Sequence, residues 1–550
     1  MALKNKYQRQ KEQYSTDGGI TWFDVAPPNY RKGNVIEMGS DDCNTIEWIE
    51  VAGSWFCIGT DTVTRWVIVT NEYMCSNGNK YQKEKEQISY DNGVTWSDTG
   101  NARTGSLIEA DSEDCNYANQ YLTFVALEDG TFSFTKSYIQ YSLDGGSTWT
   151  TLSANTQTPT VTTGNKIMWK GTLTPTGSGI GTFNSTGRYD VEGNSMSLLY
   201  GDNFVGQTVL TGTDYTFYHL FNNNNNLINA NNLRLPATTL TDYCYEGMFK
   251  DCTSLTTVPD LPATTLNSWC YYGMFNGCSS LANAPVLPAT TMKYHCYAGM
   301  FGGCTSLVTA PSLPATTLSE NCYWGMFNGC TSLINTPVLS ANTLAAECYR
   351  SMFEGCTSLV TAPSLTATRL AGGCYIRMFW GCTSLITAPE LPATTLADNC
   401  YGNMFNGCTS LTTAPALPAN KMEYGCYQQM FEGCTSLVNI PNILPATTLD
   451  SYCYYRMFYG CTSLVTAPSL PATTLTYQCY KEMFYGCISL NYIKALFKTT
   501  PSGSSPYYYT QNWVYNVADY GTFVKNSSAT WDVSGNNGIP YGWTVQTASE

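Results

Sequence analysis

The sequence predicts a curved solenoid, built from one short helix and one short strand per repeat, with all-β modules before it and β caps at its ends. Three observations predict this. A 26-residue unit recurs ten times. Within each unit, apolar residues recur at a spacing of four, as on one face of a helix. The amino-terminal part carries different repeats that are rich in turn signals.

The hexapeptide LPATTL or a close variant marks each repeat, at steps of 26 residues with one step of 27 near Asn442. The ten repeats begin at Leu235, Leu261, Leu287, Leu313, Leu339, Leu365, Leu391, Leu417, Leu444 and Leu470. The unit reads LPATTL-xxx-CY-xx-MF-x-G-CTSL-xx-AP-x. Such units stack on their neighbours to bury a shared core, so we predict a ten-repeat solenoid over residues 235–495.

The second repeat shows the expected local structure. Its apolar residues are spaced by four: Leu266, Cys270, Met274 and Cys278. This spacing predicts a short helix, and Gly277 sits where a left-handed cap would end it. An extended segment follows, because Pro285 prevents the helix from continuing.

The motif F-x-G-C-T-S-L followed by x-x-A-P-x-L-P resembles the BspA-like class of leucine-rich repeat. Repeats of this class are familiar in surface proteins of gut anaerobes and in proteins of the phages that infect them. The resemblance covers Leu235 to about Leu490 and implies a leucine-rich-repeat-like solenoid. It does not name a ligand.

Twenty of the 24 cysteines form two columns that begin at Cys244 and Cys252. The two members of a pair lie eight residues apart, about 12 Å along a helix, which is beyond the reach of a disulfide. We predict a buried ladder of small apolar thiols, rather than a metal ladder or redox array. Four cysteines lie outside the columns: Cys43, Cys57, Cys75 and Cys115. Whether the last two pair is left open.

The amino-terminal part repeats as well. YQRQKEQYSTDGGITW at Tyr7 is similar to YQKEKEQISYDNGVTW at Tyr81, and NVIEMGSDDCN at Asn34 is similar to SLIEADSEDCN at Ser106. We predict two β modules, over residues 1–76 and 77–152, each with a hairpin turn. Residues 153–234, which end in an Asn-rich loop, and residues 496–550 are predicted as β caps that cover the ends of the solenoid.

Three octapeptides match S-x-D-x-G-x-T-W, at residues 15–22, 89–96 and 142–149. The pattern resembles the Asp-box motif of sialidases and many unrelated β proteins. We interpret it as a structural turn, in which the Asp carboxylate accepts turn amides and Gly takes positive φ. The alternative, glycoside hydrolysis, needs a placed pair of carboxylates or a substitute nucleophile, and no catalytic residue is assigned.

Two rows of variable positions are not constrained by stacking and are predicted to lie on the outer face. The first row is Glu246, Tyr272, Ala298, Trp324, Arg350, Ile376, Gly402, Gln428, Tyr455 and Lys481. The second row is Lys250, Asn276, Gly302, Asn328, Glu354, Trp380, Asn406, Glu432, Tyr459 and Tyr485. Exposed aromatic residues are typical of recognition sites. The rows supply six predicted binding residues: Tyr272, Trp324, Trp380, Tyr455, Tyr459 and Tyr485.

Composition excludes several classes of function. The net charge of −14 disfavours binding to nucleic acid or to an anionic membrane surface. No apolar run approaches the length of a membrane span, so membrane insertion is not expected. Two histidines leave little scope for His-based catalysis or metal ligation. We therefore expect no metal and no cofactor.

These features favour a non-enzymatic structural and binding protein of a bacteriophage virion, such as a tail fibre, head fibre or surface adhesin. The amino-terminal modules would attach to other virion proteins, and the repeats would recognise a host surface glycan or protein. The first residues do not form a secretory signal, so we expect assembly in the host cytoplasm. The alternatives are a bacterial cell-surface adhesin of the same repeat class and, from the Asp boxes alone, a glycan hydrolase. Self-association, the ligand, and a tail or capsid location are left open.

Overall fold

The computed structural model divides the chain into two units, Met1–Asn116 and Tyr117–Glu550. In the first unit it describes the backbone of nine strands between residues 5 and 109. In the second it describes residues 117–210, 214–498, 508–529 and 534–548. Each unit is considered by itself below.

The first unit contains strands in antiparallel pairs. They are β1 (Asn5–Lys11), β2 (Gln13–Tyr14), β3 (Phe23–Asp24), β4 (Tyr30–Met38), β5 (Trp48–Val51), β6 (Ser54–Cys57), β7 (Val63–Ser76), β8 (Asn79–Ser89) and β9 (Ser97–Glu109). Strand β1 pairs with β4, and β8 pairs with β9. Tyr7 faces Val35 in the first pair, and Tyr81 faces Leu107 in the second. These pairs occupy matching positions of the two sequence copies, so both copies pair in the same register.

The predicted module boundaries run through two sheets. Strands β7, β8 and β9 form one antiparallel sheet across the boundary between residues 76 and 77. A six-stranded sheet of the second unit spans the boundary between residues 152 and 153. The division of the chain falls instead between Asn116 and Tyr117. Cys75 and Cys115, whose pairing the sequence leaves open, and the Asp boxes at residues 15–22 and 89–96 lie outside the described side chains.

The second unit begins with a β sheet. Its strands are β10 (Leu122–Ala126), β11 (Phe132–Phe134), β12 (Ile139–Ser142), β13 (Thr150–Leu152), β14 (Lys166–Gly171), β15 (Phe183–Ser185), β16 (Tyr189–Asn194) and β17 (Leu227–Arg234). The sheet has the order β13-β12-β14-β10-β16-β17, and β11 pairs with β15. Short helical turns lie at Tyr117–Asn119, Ser197–Tyr200 and Gly201–Asn203.

The sheet joins the solenoid through β17. This strand pairs in parallel with β16, and its Asn229 bridges Thr257 of the first repeat. The ring of Phe183 stacks on that of Phe221, with centroids 5.8 Å apart. One hydrophobic core therefore continues from the sheet into the repeats.

The predicted helix in each repeat is wrong. Residues 235–490, all of which the structure describes, contain no α-helix. In each repeat, one stretch begins at the third residue after LPATTL and ends at the second cysteine. This stretch is a series of four-residue turns, and we call it the turn segment. In the second repeat the Tyr272 N–H donates to Trp269 O over 3.1 Å, and the Met274 N–H donates to Tyr271 O over 3.2 Å.

The remaining amides of the turn segment point along the solenoid. The Tyr271 N–H donates to Cys296 O over 3.1 Å, and the Gly273 N–H donates to Ala298 O over 2.9 Å, both in the next repeat. Amides therefore alternate between a partner within the turn and a partner in the neighbouring coil. This alternation satisfies the buried backbone without a helix, as a packed interior requires.

A left-handed residue at every fourth position produces these turns. In the second repeat, φ is 59° at Trp269, 56° at Gly273 and 78° at Gly277. Positive φ at these intervals is incompatible with a right-handed helix. At Gly303, which is equivalent to Gly277, an added Cβ would lie 3.5 Å from the Gly277 backbone. Close stacking and backbone conformation together explain the glycine in F-x-G-C.

The extended segments contribute isolated parallel bridges. One series includes the bridges Thr309 to Asn335 and Thr387 to Thr413, and the other includes Thr239 to Thr265 and Thr291 to Thr317. Proline cannot donate a ladder hydrogen bond, and each repeat carries prolines beside these bridges. The predicted strand is thereby reduced to single bridges.

Two aromatic ladders fill the core. Tyr245 begins a column of ten stacked tyrosines that ends at Tyr480, with Phe217 at its head and neighbouring centroids 5.5–6.0 Å apart. Phe221 begins a parallel column that ends at Phe484, with spacings of 5.3–5.8 Å. Aromatic residues bury large apolar areas, so these ladders are the main packing element of the solenoid.

The thiols behave as the sequence predicts. All twenty cysteines of the two columns are buried and free of disulfides. In the second column each thiol donates to the carbonyl of a phenylalanine in the preceding coil, as in Cys278 to Phe249 O over 3.1 Å. Burial raises the pKa of the thiols, to about 12 at Cys330 and Cys487.

In the folded chain, iodoacetamide at pH 8 should therefore modify none of the twenty column cysteines. The thiolate is the reactive species, and both burial and the raised pKa suppress it. Intact mass before and after unfolding in guanidinium measures the difference, and peptide mapping locates each adduct. Modification of Cys330 or Cys356 in the folded chain would contradict a dry core.

The solenoid extends beyond the ten sequence repeats at both ends. Residues 214–223 form an additional turn segment, with positive φ at Tyr215, His219 and Asn223. Residues 508–516 form another, with positive φ at Tyr508, Asn512 and Asn516.

The carboxyl-terminal region completes the last coil and covers it. Strands β18 (Tyr492–Ala495), β19 (Thr522–Lys525) and β20 (Thr544–Thr547) form a parallel sheet. The indole of Trp513 is fully buried and donates to Gly538 O over 2.8 Å. Among the described residues, no helix has both the length and the apolar character that crossing a membrane requires.

Candidate binding face

The turn segments present the two variable rows as one surface, which we call the turn face. All six predicted binding residues lie on it and are half-buried. The structure places them in two clusters. The first contains Tyr272 and Trp324, which line one groove, with Trp380 two repeats beyond Trp324. The second contains Tyr455, Tyr459 and Tyr485.

An open groove of about 540 Å³ crosses the turn face over repeats 2 to 6. Tyr272 and Asn276 line it in repeat 2, and Trp324 and Asn328 line it in repeat 4. Between them the lining is glycine: Gly299, Gly302 and Gly303. Further lining residues are Gly277, Gly325, Arg350, Ser351, Glu354 and Arg377. The groove, which we call the repeat-3 groove, combines aromatic rings with amides and charges.

Arginines accompany the aromatic residues of the first cluster. The guanidinium carbon of Arg377 lies 4.4 Å from the ring centroid of Trp380. That of Arg350 lies 5.8 Å from the centroid of Trp324, and its Nη1 contacts Glu347 Oε1 at 3.0 Å. Cation–π contacts of this kind hold both partners in place.

The second cluster is a stack of tyrosines at the end of the solenoid. The rings of Tyr459 and Tyr485 lie 4.7 Å apart, and Tyr515 continues the stack at 4.6 Å. The Arg456 guanidinium lies 4.9 Å from the Tyr459 centroid, and its Nε contacts Glu482 Oε2 at 2.6 Å. Tyr515 belongs to the additional turn segment that the sequence repeats did not reveal.

Arg377 and Arg456 occupy strained backbone positions. Their φ values are 56° and 51°, in a position that holds glycine in the first four repeats: Gly247, Gly273, Gly299 and Gly325. Placing a larger residue there costs about 1 kcal/mol relative to glycine. Ser351, Asn403, Gln429 and Glu482 share this conformation at the same position, so the fold imposes it. Arg377, which lines the groove, and Arg456, which lies against Tyr459, are candidate binding residues that sequence reasoning missed.

A further aromatic column borders the first cluster and was also missed. The rings of Tyr215 and Tyr243 lie 4.5 Å apart, those of Tyr243 and Trp269 5.8 Å, and those of Trp269 and His295 4.0 Å, all near parallel. The available signal was an aromatic residue directly before CY in each of the first three repeats. His295 also meets Trp324 at 5.6 Å, which connects this column to the groove.

Burial changes the charge states at this end of the turn face. Desolvation raises the pKa of Glu246 to about 7, although Lys250 opposes the shift. Desolvation also lowers the pKa of His295, against the charge of Glu347. Both residues therefore favour their neutral forms near neutral pH.

Replacing Glu246 by glutamine should raise the melting temperature more at pH 8 than at pH 5. The pKa of the carboxyl group is about 7 in the folded chain and about 4.3 in an unfolded one, so the folded state binds the proton more tightly. Stability therefore falls as pH rises between these values. Calorimetry of both chains at the two pH values measures the melting temperatures.

The same substitution at exposed Glu390 is the control and should alter neither value. An equal effect of Glu246→Gln at pH 5 and pH 8 would show that burial of the charge is not the cause.

The third Asp box is a structural turn, as predicted. It closes the hairpin of β12 and β13. Asp144 Oδ1 accepts the Thr148 N–H over 2.9 Å and the Ser142 hydroxyl over 2.7 Å, and Oδ2 accepts the Thr148 hydroxyl over 2.6 Å. These bonds lower the pKa of Asp144 to about 2. Both carboxylate oxygens are engaged in holding the turn, and Trp149 Nε1 donates back to Gly146 O over 3.0 Å.

The geometry of the turn face suits recognition. Aromatic faces, amide groups and guanidinium groups converge in shallow, half-buried positions, and such groups bind flat or hydroxyl-bearing partners. Within the described part of the chain, no three His, Cys, Asp or Glu side chains group closely enough to hold a metal ion.

Comparison with known proteins identifies the repeats. No curated protein matches the chain. One solved structure, titled "Crystal structure of TLR13-ssRNA13 complex", matches at 13% identity over 60% of this chain and 48% of that chain. Its TM-score is 0.22, too low to carry an argument about fold or function.

The family profile described as "BspA type Leucine rich repeat region" matches six copies, over residues 218–334, 327–465 and 377–514. Together these matches cover more than half of the 550 residues. They reach into the additional turn segments at both ends of the solenoid. The resemblance that the repeat motif carries is thereby confirmed, and the chain belongs to the BspA-type leucine-rich repeat family.

Proposed function

We propose that the chain is a non-enzymatic binding protein and that its turn face holds the partner. The observation that carries the proposal is the concentration of aromatic and arginine side chains in two clusters on that face. Arg377 lines the groove on that face, and Arg456 lies against the ring of Tyr459. Repeats of this family are suited to presenting an extended surface of this kind.

We further propose that the protein is a structural component of a bacteriophage virion, such as a tail or head fibre or adhesin. The unit Met1–Asn116, separate from the solenoid, would attach to other virion proteins. The turn face would recognise a host surface glycan or protein. The low charged content and the long repeat array support a structural, multivalent role.

A bacterial cell-surface adhesin of the same family is the second candidate. Mass spectrometry distinguishes the two: the chain should be recovered from purified phage particles. Recovery from the outer surface of uninfected cells would favour the adhesin instead. A glycan hydrolase has less support, because the described Asp-box carboxylate, Asp144, is engaged in its own turn.

Changing Trp324, Trp380 and Tyr455 together to alanine should weaken host-cell binding by about 100-fold while leaving the fold intact. Aromatic anchors dominate binding energies at recognition sites, and loss of two of them reaches this factor. Binding of fluorescent protein to host cells measures the effect, and melting temperature checks the fold.

The matched control changes three exposed aliphatic residues away from the turn face to alanine: Val286, Val338 and Ile386, which are 78%, 78% and 48% exposed. The control should bind host cells normally. Unaltered binding by the aromatic variant would refute the turn face as the binding surface.

A further inference from the structure

The third repeat leaves a gap in the turn face. It has small residues in both variable rows, Ala298 in the first and Gly302 in the second, and it is the only repeat that does. The neighbouring repeats carry Tyr272 with Asn276 on one side and Trp324 with Asn328 on the other. Of these two residues Gly302 lines the repeat-3 groove, whereas Ala298 is fully buried. Above repeat 3 the groove therefore has an aromatic ring and an amide at each side, and it continues over repeats 4 to 6 as far as Arg377. Its volume of about 540 Å³ falls in the range of small-ligand sites, about 300–1,000 Å³.

The polar groups of the groove are preorganised. The Asn276 amide donates to Gly299 O over 3.3 Å, so it is held along the lining of the groove. Glu347 and the ring of Trp324 hold Arg350 in place, and its buried Nε has no hydrogen-bond partner. Fixed side chains of this kind bind a ligand with little loss of entropy.

Arg377 supplies a positive charge at the end of the groove. Its guanidinium lies against Trp380 at 4.4 Å and forms no ion pair with any residue that the structure describes. Arg350 is balanced by Glu347, and Glu354 is the one other charged residue of the lining. A guanidinium recognises a carboxylate through two parallel hydrogen bonds, so this end of the groove complements an anionic group in a chain whose net charge is −14.

We infer that the repeat-3 groove binds an oligosaccharide whose rings carry carboxylates. The apolar face of one ring would lie against Tyr272 or Trp324, because its C–H groups complement the negative face of an aromatic ring. Asn276, Asn328 and Glu354 would bind hydroxyls, and Arg377, two repeats beyond Trp324, would bind the carboxylate of a ring further along the saccharide. This inference rests on the proposed binding function and names the ligand class for the same face.

The test measures binding of two matched probes to the full chain by isothermal titration calorimetry. The probes are trigalacturonate and the neutral galactose trisaccharide with the same linkage, which differ in their carboxylates. We expect trigalacturonate to bind at least tenfold more tightly, as a charge-assisted hydrogen bond supplies.

Three variants locate the binding. Gly302→Tyr copies the residue of repeats 9 and 10 into the groove and should abolish binding of both probes. Asn406→Tyr makes a tyrosine in the same row outside the groove and should change neither affinity. Arg377→Gln copies Gln429, which has φ of 54° at the equivalent position, and should reduce trigalacturonate to the affinity of the neutral probe.

Equal affinity of the native chain for both probes, or full binding by Gly302→Tyr, would overturn the inference. Binding of tetraglutamate as tightly as trigalacturonate would also overturn it, because the carboxylate alone would then account for recognition. Suppose that neither sugar binds while the triple alanine variant of Trp324, Trp380 and Tyr455 still loses host-cell binding. That result would refute the acidic saccharide as the ligand and would leave the proposed function supported. If trigalacturonate binds in the groove while the triple alanine variant keeps host-cell binding, the proposed function fails alone.

Discussion

Replacing Phe353 by alanine is expected to lower the free energy of unfolding by about 4 kcal/mol. Phe353 is fully buried in the middle of the phenylalanine ladder. Its ring stacks on Phe327 and on Phe379, with centroids 5.7 Å away on each side. Loss of the ring leaves a cavity and breaks two stacking contacts at once, and a solenoid has only nearest-neighbour interfaces to absorb the loss.

Two further variants separate the causes. Phe353→Leu keeps most of the volume and removes the stacking, so it should cost about 1 kcal/mol. Val360→Thr changes a side chain that is 46% exposed and should stay within about 0.5 kcal/mol. Denaturant unfolding followed by tyrosine and tryptophan fluorescence compares the three chains. An alanine variant that unfolds at the same midpoint as Val360→Thr would show that the ladder does not stabilise the solenoid.

The composition of the core could be predicted from the sequence because stacking makes it repetitive. Every coil places the same side chain against the same neighbour, so Cys, Met, Phe and Leu recur at fixed positions of each repeat. Cys330 and Phe327 are buried for the same reason as their equivalents in every other repeat. The same comparison identified the turn face, because the positions that vary are those that stacking leaves free.

The local structure could not be predicted in the same way, because one spacing fits two conformations. Leu266, Cys270 and Met274 recur at intervals of four, and an α-helix with 3.6 residues per turn approximates that interval over a short segment. The distinguishing signal was the glycine at the same interval, as in Gly273 and Gly277. Two glycines four residues apart disfavour a helix and permit a left-handed residue in each turn.

The arginines of the site were hidden by their position. Arg377 and Arg456 stand in the glycine position of the turn, not in either of the variable rows. Their place in the site depends on the groove beside Arg377 and on the ring of Tyr459 beside Arg456, which the repeat pattern does not reveal. The groove itself depends on the absence of a side chain at Gly302, and a search for conspicuous residues does not reveal a gap.

Deleting residues 365–377 is expected to abolish cooperative unfolding, whereas deleting residues 365–390 should leave a folded chain. The longer deletion removes one complete coil, so Leu391 takes the place of Leu365 and the ladders close up in register. The shorter deletion removes Cys374 and Tyr375 but leaves Phe379 in a truncated coil. The tyrosine ladder is then interrupted, and the amides of neighbouring turn segments lose their partners.

The size of the deletion therefore matters less than its register, since each repeat contributes an intrinsic stability and two interfaces. The 26-residue deletion keeps every type of interface and loses one copy, so its thermal transition should remain single and sharp. The 13-residue deletion loses fewer residues and should give a broad transition with early exposure of the column cysteines to iodoacetamide. Circular dichroism and the labelling assay follow both chains. Sharp transitions in both would mean that each coil folds on its own, which would contradict a core shared between stacked repeats.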